Sequence, residues 1–346
     1  MVQPSPTVSV LIVGFNSLRF LQRCIGSISQ ASEKNPIEIL FINNGTDQSE
    51  SFLQNAFPAV RVLSSRGNIG FAGANNALAS AASGDWLLLL NPDTQLEPSA
   101  IDILVEAGTS NAQFAVLAGA TFTIDGREWI VPPKPLPSLS QLIKSICGIQ
   151  PPYPRLDQAV IEVESVNGGF MLVKREIWEH LEGMDEGFFL YTEEVDFCKR
   201  CLDLGGRIGF VPASGVRHDL GSGDNFTEFR IRYMATGTAH YYRKHFSRLY
   251  ADACVLSLWL SCLVRFVAAS MLSWRKDKYK RMPGAYRFVA LKPWRWWRGY
   301  ASPGADPQRK LACSEQHEQL DLNVPSISGE EIALSPVSTN GTDLRL

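Results

Sequence analysis

Asp85-Trp86-Leu87-Leu88-Leu89-Leu90-Asn91-Pro92-Asp93-Thr94-Gln95-Leu96-Glu97 is the stretch on which the reading of this chain turns. Trp86 to Leu90 is an unbroken apolar run. It is too short for a helix and is bounded by turn residues, which predicts a strand buried on both faces. Pro92 has no amide hydrogen for a ladder and biases Asn91 towards an extended shape, so the strand ends there. Asp93 is left just beyond the carboxyl end of a central strand, the edge at which open α/β sheets bind ligands. A hard divalent cation takes oxygen ligands and accepts one or two carboxylates completed by substrate phosphates. Asp93 suits that role; a solvated Asp in a strand-ending turn fits the same residues.

Towards the N-terminus, Val8 to Val13 is another apolar run, and Leu18, Leu21, Ile25 and Ile28 then recur at helical spacing up to Ala31. Ile37 to Ile42 predicts a second strand, ending at Asn43-Asn44-Gly45-Thr46-Asp47, and Val60 to Leu63 a third. Asn68-Ile69-Gly70-Phe71-Ala72-Gly73 is a glycine-rich turn that runs into an Ala-rich helix ending at Ser83. Strands alternating with helices over short connections imply right-handed crossovers and a doubly wound, mostly parallel α/β sheet. Gly67, Gly70 and Gly73 admit a dinucleotide site, but their order is not G-x-G-x-x-G and no acid follows at the ribose distance.

Beyond Glu97, Ala115 to Phe122 predicts a strand and Asp125-Gly126 a hairpin-type turn. Residues 131–155 are Pro-rich, carry Lys134, Lys144 and Arg155, and form a long loop with one helix near Leu139 to Ile146. Such loops are lids, specificity loops or plain mobile connections. Val166 to Val173 reads as a strand broken by glycines, followed by a helix from Lys174 to Leu181. In Phe188-Phe189-Leu190-Tyr191-Thr192-Glu193-Glu194-Val195-Asp196-Phe197-Cys198-Lys199-Arg200, Thr192 is placed to cap a helix whose first turn holds Glu193 and Glu194. With Asp196, three carboxylates crowd that helix start; a cap plus a solvated face accounts for them as well. Ile208 to Val211 predicts a strand stopped by Pro212, with His218 in the loop beyond.

The C-terminal part changes character. Ala253 to Val264 and Phe266 to Trp274 are apolar, interrupted by Arg265. Ten Lys and Arg (265, 275, 276, 278, 280, 281, 287, 292, 295, 298) then face one acid, Asp277. A bilayer span needs about 20 apolar residues, and a central Arg costs roughly 2.5–3.5 kcal/mol on insertion scales. Length permits a span, and Arg265 favours an interfacial or re-entrant helix; a helix buried in a soluble protein is the alternative. The Lys, Arg and Trp cluster suits an anionic headgroup layer. From Ala301 the tail lacks periodicity and is expected to be disordered.

The whole chain is ordinary in composition, with 346 residues, 45% hydrophobic, 20% charged and a net charge of -2. No nucleic acid partner is expected. Met1-Val2-Gln3-Pro4-Ser5-Pro6 lacks the basic start of a signal peptide, so the catalytic part is expected in the cytosol. The odd count of seven cysteines points to free thiols there, with Cys198 and Cys201 packed inside a helix. Asn44-Gly45-Thr46 and Asn225-Phe226-Thr227 are then chance sequons.

Together, Val8-Ser9-Val10-Leu11-Ile12-Val13-Gly14-Phe15-Asn16, Asn68-Ile69-Gly70-Phe71-Ala72-Gly73, Leu90-Asn91-Pro92-Asp93-Thr94 and the Phe188 to Arg200 segment resemble the inverting GT-A glycosyltransferases of family 2, in their rhamnosyltransferase-like branch. The resemblance covers about residues 7 to 245. It implies a Rossmann-like GT-A catalytic domain over residues 1–248, a membrane-associating helical region over 249–300 and an acidic tail over 301–346. Asn91-Pro92-Asp93 resembles the family's D-x-D-like metal motif, with Asn for the first acid. Glu193-Glu194-Val195-Asp196 resembles the E-D-x-D segment, whose second acid, here Glu194 rather than Asp, is the general base. His218 resembles a His that joins the metal shell. The family's Val-Asp-Asn after the second strand has Asn43 in place of the Asp, an uncharged group that still accepts from a base or ribose.

The implied reaction is displacement at the anomeric carbon of a nucleotide-diphosphate sugar. Asp93 holds Mg²⁺ or Mn²⁺ against the diphosphate, His218 is a further ligand or a direct donor to the diphosphate, Glu194 takes the acceptor proton, and Asn16, Asn43, Asn68 and Gly70 line the nucleotide pocket. The acceptor is a saccharide or lipid-linked saccharide at the cytoplasmic membrane face, in cell-surface polysaccharide synthesis. A catalytically silent membrane-docked scaffold is one rival, supported by Asn43. A nucleotidylyltransferase is another, but Gly14-Phe15-Asn16 is not the Gly-rich basic loop it requires.

Overall fold

All five residues of Trp86–Leu90 are buried, as both faces of this strand meet apolar layers. In the computed structural model, residues 7–126, 128, 132–146, 149, 158–219, 227–272 and 282–301 are described. They belong to one compact unit, Met1–Asp306. The basic run from Arg275 to Arg281, Trp274, Cys147, Cys313, Arg155, the Asn225 sequon and the tail beyond Ala301 lie outside the described residues.

The chain runs β1 (Val8–Gly14), α1 (Leu18–Ala31), β2 (Ile37–Asn43), α2 (Ser49–Ala56), β3 (Arg61–Leu63), α3 (Gly70–Ala81), β4 (Trp86–Leu90) and β5 (Thr94–Leu96). Then come α4 (Ala100–Ser110), β6 (Phe114–Thr123), α5 (Leu139–Ile146), β7 (Ile161–Val163), β8 (Phe170–Lys174) and α6 (Arg175–His180). The last elements are α7 (Glu193–Asp203), β9 (Arg207–His218), α8 (Glu228–His245), α9 (Arg248–Leu272) and α10 (Met282–Leu291). The nine-stranded sheet has the order β3-β2-β1-β4-β8-β6-β9-β5, with β7 also on β9. β1 to β4, β6 and β9 share one direction, and β5, β7 and β8 oppose it. This is the mostly parallel α/β sheet expected, with antiparallel β8 inserted at its centre.

The alternation of β4 explains its burial. Leu88 and Leu90 face α1 and α4 through Leu21, Ile25, Ile101 and Leu104. Leu87 and Leu89 face the other layer, with Leu78 of α3 and Phe197 of α7. Each such leucine contributes about 1.5–3 kcal/mol of burial.

Two strands differ from expectation. The strand expected from Val166 begins only at Phe170, because the preceding glycines pass close to other side chains at the sheet edge. β9 does not stop at Pro212 but continues to His218. Its register against β6 jumps from Gly119↔Val211 to Ala120↔Gly215, so Pro212 sits in a bulge and needs no ladder bond. That bulge carries His218 back into the sheet, opposite Thr94.

Candidate active site

The turn after β4 is held on both sides. The Asn91 amide donates to Gly169 O (2.9 Å), the Asp219 amide to Asp93 O (2.9 Å), and Thr94 Oγ1 to Asn91 O (2.6 Å). His218 Nε2 lies 3.4 Å from Asp93 Oδ1 and 3.4 Å from Asn91 Nδ2. Both are long for firm hydrogen bonds. His218 Nδ1 is buried without a partner. Burial pushes the Asp93 carboxyl above its usual range, a rise that a protonated His218 would offset only in part. Burial likewise lowers His218, against the pull of Asp93. The imidazole is therefore neutral at pH 7, the form that ligates metals.

Among the described residues, no three His, Cys, Asp or Glu side chains form a metal cluster. Asp93 and His218 together offer one oxygen and one nitrogen. A closed zinc site takes four protein ligands, whereas a Mg²⁺ or Mn²⁺ site completes itself with substrate phosphate and water. The under-bonded pair fits the second kind. Positive charge is near: Arg23 Nη2 pairs with Asp219 Oδ2 at 3.1 Å, and the Arg230 charge acts on both His218 and Tyr191.

The acid turn is strained. Tyr191 and Thr192 have φ of +66° and +76°, two successive non-glycine residues in the left-handed region. Such strain collects at functional sites and persists only where surroundings impose it. Here the Tyr300 hydroxyl donates to Leu190 O, and Gly237 of α8 lies behind the turn, where a Cβ would meet Thr192 Oγ1 at 2.9 Å. Thr192 makes no side-chain cap bond, contrary to expectation, because capping hydroxyls work from an extended backbone.

The two glutamates that follow are both perturbed. Burial pushes Glu193 well above its usual range, the Glu194 charge adds to this, and its Oε2 has no partner. Burial also pushes Glu194 up, while its own amide, Lys134 and the Thr192 and Val195 amides oppose. Gly168-Gly169 connects the acid turn to the Asp93 turn. A Cβ on Gly168 would meet Glu194 Cβ at 3.2 Å, and one on Gly169 would meet Asn91 Nδ2 at 2.8 Å. One dipeptide thus separates the turn that carries Asp93 from the helix start that carries Glu194.

Asp196 is placed differently from the two glutamates. It is fully buried, with Lys244 Nζ at 2.7 Å, His245 Nε2 at 2.7 Å and Arg200 Nε at 2.8 Å. Arg200 also donates to Leu181 O and Gly183 O. Burial opposes ionisation, but these partners win and hold the carboxyl down at about 2. The arrangement ties α7 to α8 and engages both Asp196 oxygens with cationic partners inside the fold. Its folded value lies below the ordinary 3.8, so its stabilisation is complete above about pH 4 and is lost as pH falls towards 2. At 1.36 kcal/mol per unit this is worth about 2 kcal/mol. Asp196→Asn is therefore expected to lower unfolding free energy by about that much or more at pH 7 and to flatten the acid limb of a stability–pH curve. An unchanged curve contradicts this placement.

The asparagines knit the loops at this sheet edge. Asn43 is buried; its Oδ1 accepts the Gly45 amide (2.9 Å) and its Nδ2 reaches Asp47 (3.3 Å). Asn16 Oδ1 accepts the Thr46 amide (3.1 Å), and Asn68 Oδ1 accepts the Gly70 amide (3.1 Å). Gly70, at φ +81°, must lack a side chain because a Cβ would sit 2.5 Å from Phe189 O. The Phe71 amide donates to that same oxygen at 2.9 Å, fixing the start of α3 beside the acid turn. Tyr191, Arg230 and Tyr300 were not singled out by sequence. Their proximity arises from contacts across more than 30 residues, which no local pattern encodes.

The profile of the glycosyl transferase family 2 matches residues 9–180, from β1 through α6, including Asn91–Asp93 and Gly168-Gly169. The chain belongs to glycosyl transferase family 2. This family 2 glycosyltransferase is 27% identical over 237 residues to N-acetylglucosaminyl-diphospho-decaprenol L-rhamnosyltransferase of Mycobacterium tuberculosis, covering 60% of this chain and 75% of that one. Its fold is similar to GalNAc-T7, solved with UDP, GalNAc and Mn²⁺, at a TM-score of 0.55 and 16% identity. That match covers 84% of this chain but 57% of GalNAc-T7. It is also similar to the mannosyltransferase PcManGT of Pyrobaculum calidifontis, solved with GDP-Man and Mn²⁺, at a TM-score of 0.55 and 12% identity over 84% of this chain and 88% of that one. Both likenesses show the GT-A fold.

Proposed function

We propose that this glycosyltransferase moves a hexose, with rhamnose the first candidate, from a nucleotide-diphosphate sugar to a lipid-linked saccharide at the cytoplasmic membrane face, with inversion. The observation that supports it most is the Gly168-Gly169 dipeptide, flanked by the Asp93 turn on one side and Glu194 on the other. An in-line displacement needs the leaving diphosphate and the proton acceptor on either side of one anomeric carbon. A divalent ion held by Asp93 and His218 supplies charge neutralisation for the departing diphosphate. Asp93 and His218 orient the donor, Arg230 adds positive charge nearby, and Glu194 removes the acceptor hydroxyl proton. Asn16, Asn43, Asn68 and Gly70 shape the nucleotide side. The matched M. tuberculosis relative is named for a diphospho-decaprenol acceptor, which supports an acceptor on lipid.

Thermal unfolding with a panel of nucleotide sugars and Mn²⁺ tests this reading. A donor at about 100 times its Kd adds about 2.7 kcal/mol to the native state. One donor is expected to raise the melting temperature by several degrees, with Mn²⁺ strengthening the effect. A panel in which no donor shifts it counts against the proposed chemistry.

A further inference from the structure

Among the described residues, Lys134 and one apolar surface have no part in the proposed chemistry. Lys134 is exposed, and its charge acts on the Glu194 carboxylate. Its backbone is fixed by a bridge to Ser165, whose Oγ donates to Lys134 O at 2.7 Å. Ser165 lies three residues before Gly168, which abuts Glu194. Five residues beyond Lys134, α5 begins. It has no buried residue, and Ile143, Ile146 and the following Ile149 are exposed.

α5 is anchored to α9, since the Leu139 amide donates to Tyr250 Oη at 3.2 Å and Arg265 Nη2 to Ser145 Oγ at 2.9 Å. On α9, Leu256, Leu260, Val264, Val267 and Met271 are all exposed and recur at steps of three and four, which places them on one stripe. Cys254, Cys262 and Ala269 are buried on the other side. Arg265 does not interrupt the stripe: at 100° per residue it points to the opposite side and bonds Ser261 and Ser145. Arg287, Lys292, Arg295 and Arg298 lie in the same segment as Trp294, which is 70% exposed, and residues 282–301 contain no acid. The one acid of α9, Asp252, is paired with Arg243 at 3.0 Å. Apolar stripe, exposed Trp and a Lys/Arg-rich segment complement an anionic lipid surface.

We propose that segment 132–146 is the acceptor's route to Glu194: α5 and the α9 stripe lie in the lipid surface, and Lys134 grips the phosphate that joins lipid to sugar. This rests on the glycosyl-transfer reading and names how its acceptor is held. A sugar diphosphate on an isoprenoid chain cannot leave the bilayer, so a cation between the membrane face and the base sets how far the sugar reaches. Lys134 is suited to that place because an ammonium on a flexible stem follows a mobile phosphate.

The test uses the full chain and phosphatidylcholine/phosphatidylglycerol vesicles, with and without farnesyl diphosphate or farnesol. Wild type is expected to float with the vesicles, and farnesyl diphosphate but not farnesol should tighten binding. Lys134→Ala should remove that gain, about tenfold for one charge-assisted hydrogen bond, and Lys134→Arg should restore most of it. Ile143→Ser with Val264→Ser should lower flotation while leaving the melting temperature unchanged. Nucleoside diphosphate binding with Mn²⁺ is measured on the same variants and should stay unchanged, so loss of the donor reading shows up separately. Equal farnesyl diphosphate binding by Lys134→Ala overturns the role of Lys134. Inorganic pyrophosphate competing as well as farnesyl diphosphate overturns the lipid route, as does a wild type that remains monodisperse and does not float.

Discussion

Asp93→Asn is expected to abolish glycosyl transfer while the protein stays folded. The carboxylate is half-buried, the neutral His218 imidazole lies 3.4 Å away, and burial pushes its pKa up. Its charge is therefore a cost to the apo fold, and an isosteric amide removes that cost. The loss falls on the reaction. A divalent ion that neutralises a departing diphosphate is worth several kcal/mol, and about 4 kcal/mol is roughly a thousandfold in rate. The melting temperature should stay near that of wild type, and Mn²⁺-dependent donor binding should weaken together with kcat. Full wild-type activity in excess chelator sinks the metal assignment outright.

The second large effect is expected at Glu194. Glu194→Gln should lower kcat about 10²- to 10⁴-fold, the range of general base catalysis. Donor affinity should hardly change, because the proton is transferred only in the transition state. The pH profile supplies the sharper readout. Burial raises the Glu194 carboxyl above its ordinary 4.5, and the base works only when ionised. Wild-type kcat should thus rise with pH along a limb lying above the normal carboxylate range, and that limb should vanish in the Gln variant. Glu193→Gln should cost less, since Glu193 is fully buried towards Tyr300 whereas Glu194 keeps partial exposure. If Glu193→Gln proves the lethal change, the base has been assigned to the wrong carboxylate.

Much of this was legible because it is local. The apolar run Trp86–Leu90, stopped by Asn91-Pro92, specified β4 and the position of Asp93 without reference to any other segment. The helix expected at Leu139 to Ile146 has those bounds in the structure. What sequence did not convey depends on pairing between distant strands. Pro212 is a sound stop signal for a ladder, yet β9 absorbs it in a bulge because β6 and β5 offer partners on the far side. That bulge, rather than any motif, brings His218 to Asp93. Thr192 looked like a cap by residue type; the strain imposed through Gly237 and Tyr300 turns its backbone left-handed instead. Asp196 stands in the same acid run as Glu194, but only the fold of α8 delivers Lys244 and His245 to it.

In the proposed reaction, Asp93 and Glu194 face one nucleotide-sugar donor across Gly168-Gly169. Phosphorus NMR of a nucleotide-sugar panel, incubated with the full chain, Mn²⁺ and membrane-extracted acceptor, tests it most directly. At least one nucleotide sugar is expected to be converted to its nucleoside diphosphate, with conversion lost in both Asp93→Asn and Glu194→Gln. Donor resonances that stay unchanged across the panel, or conversion at the wild-type rate by either variant, would contradict it.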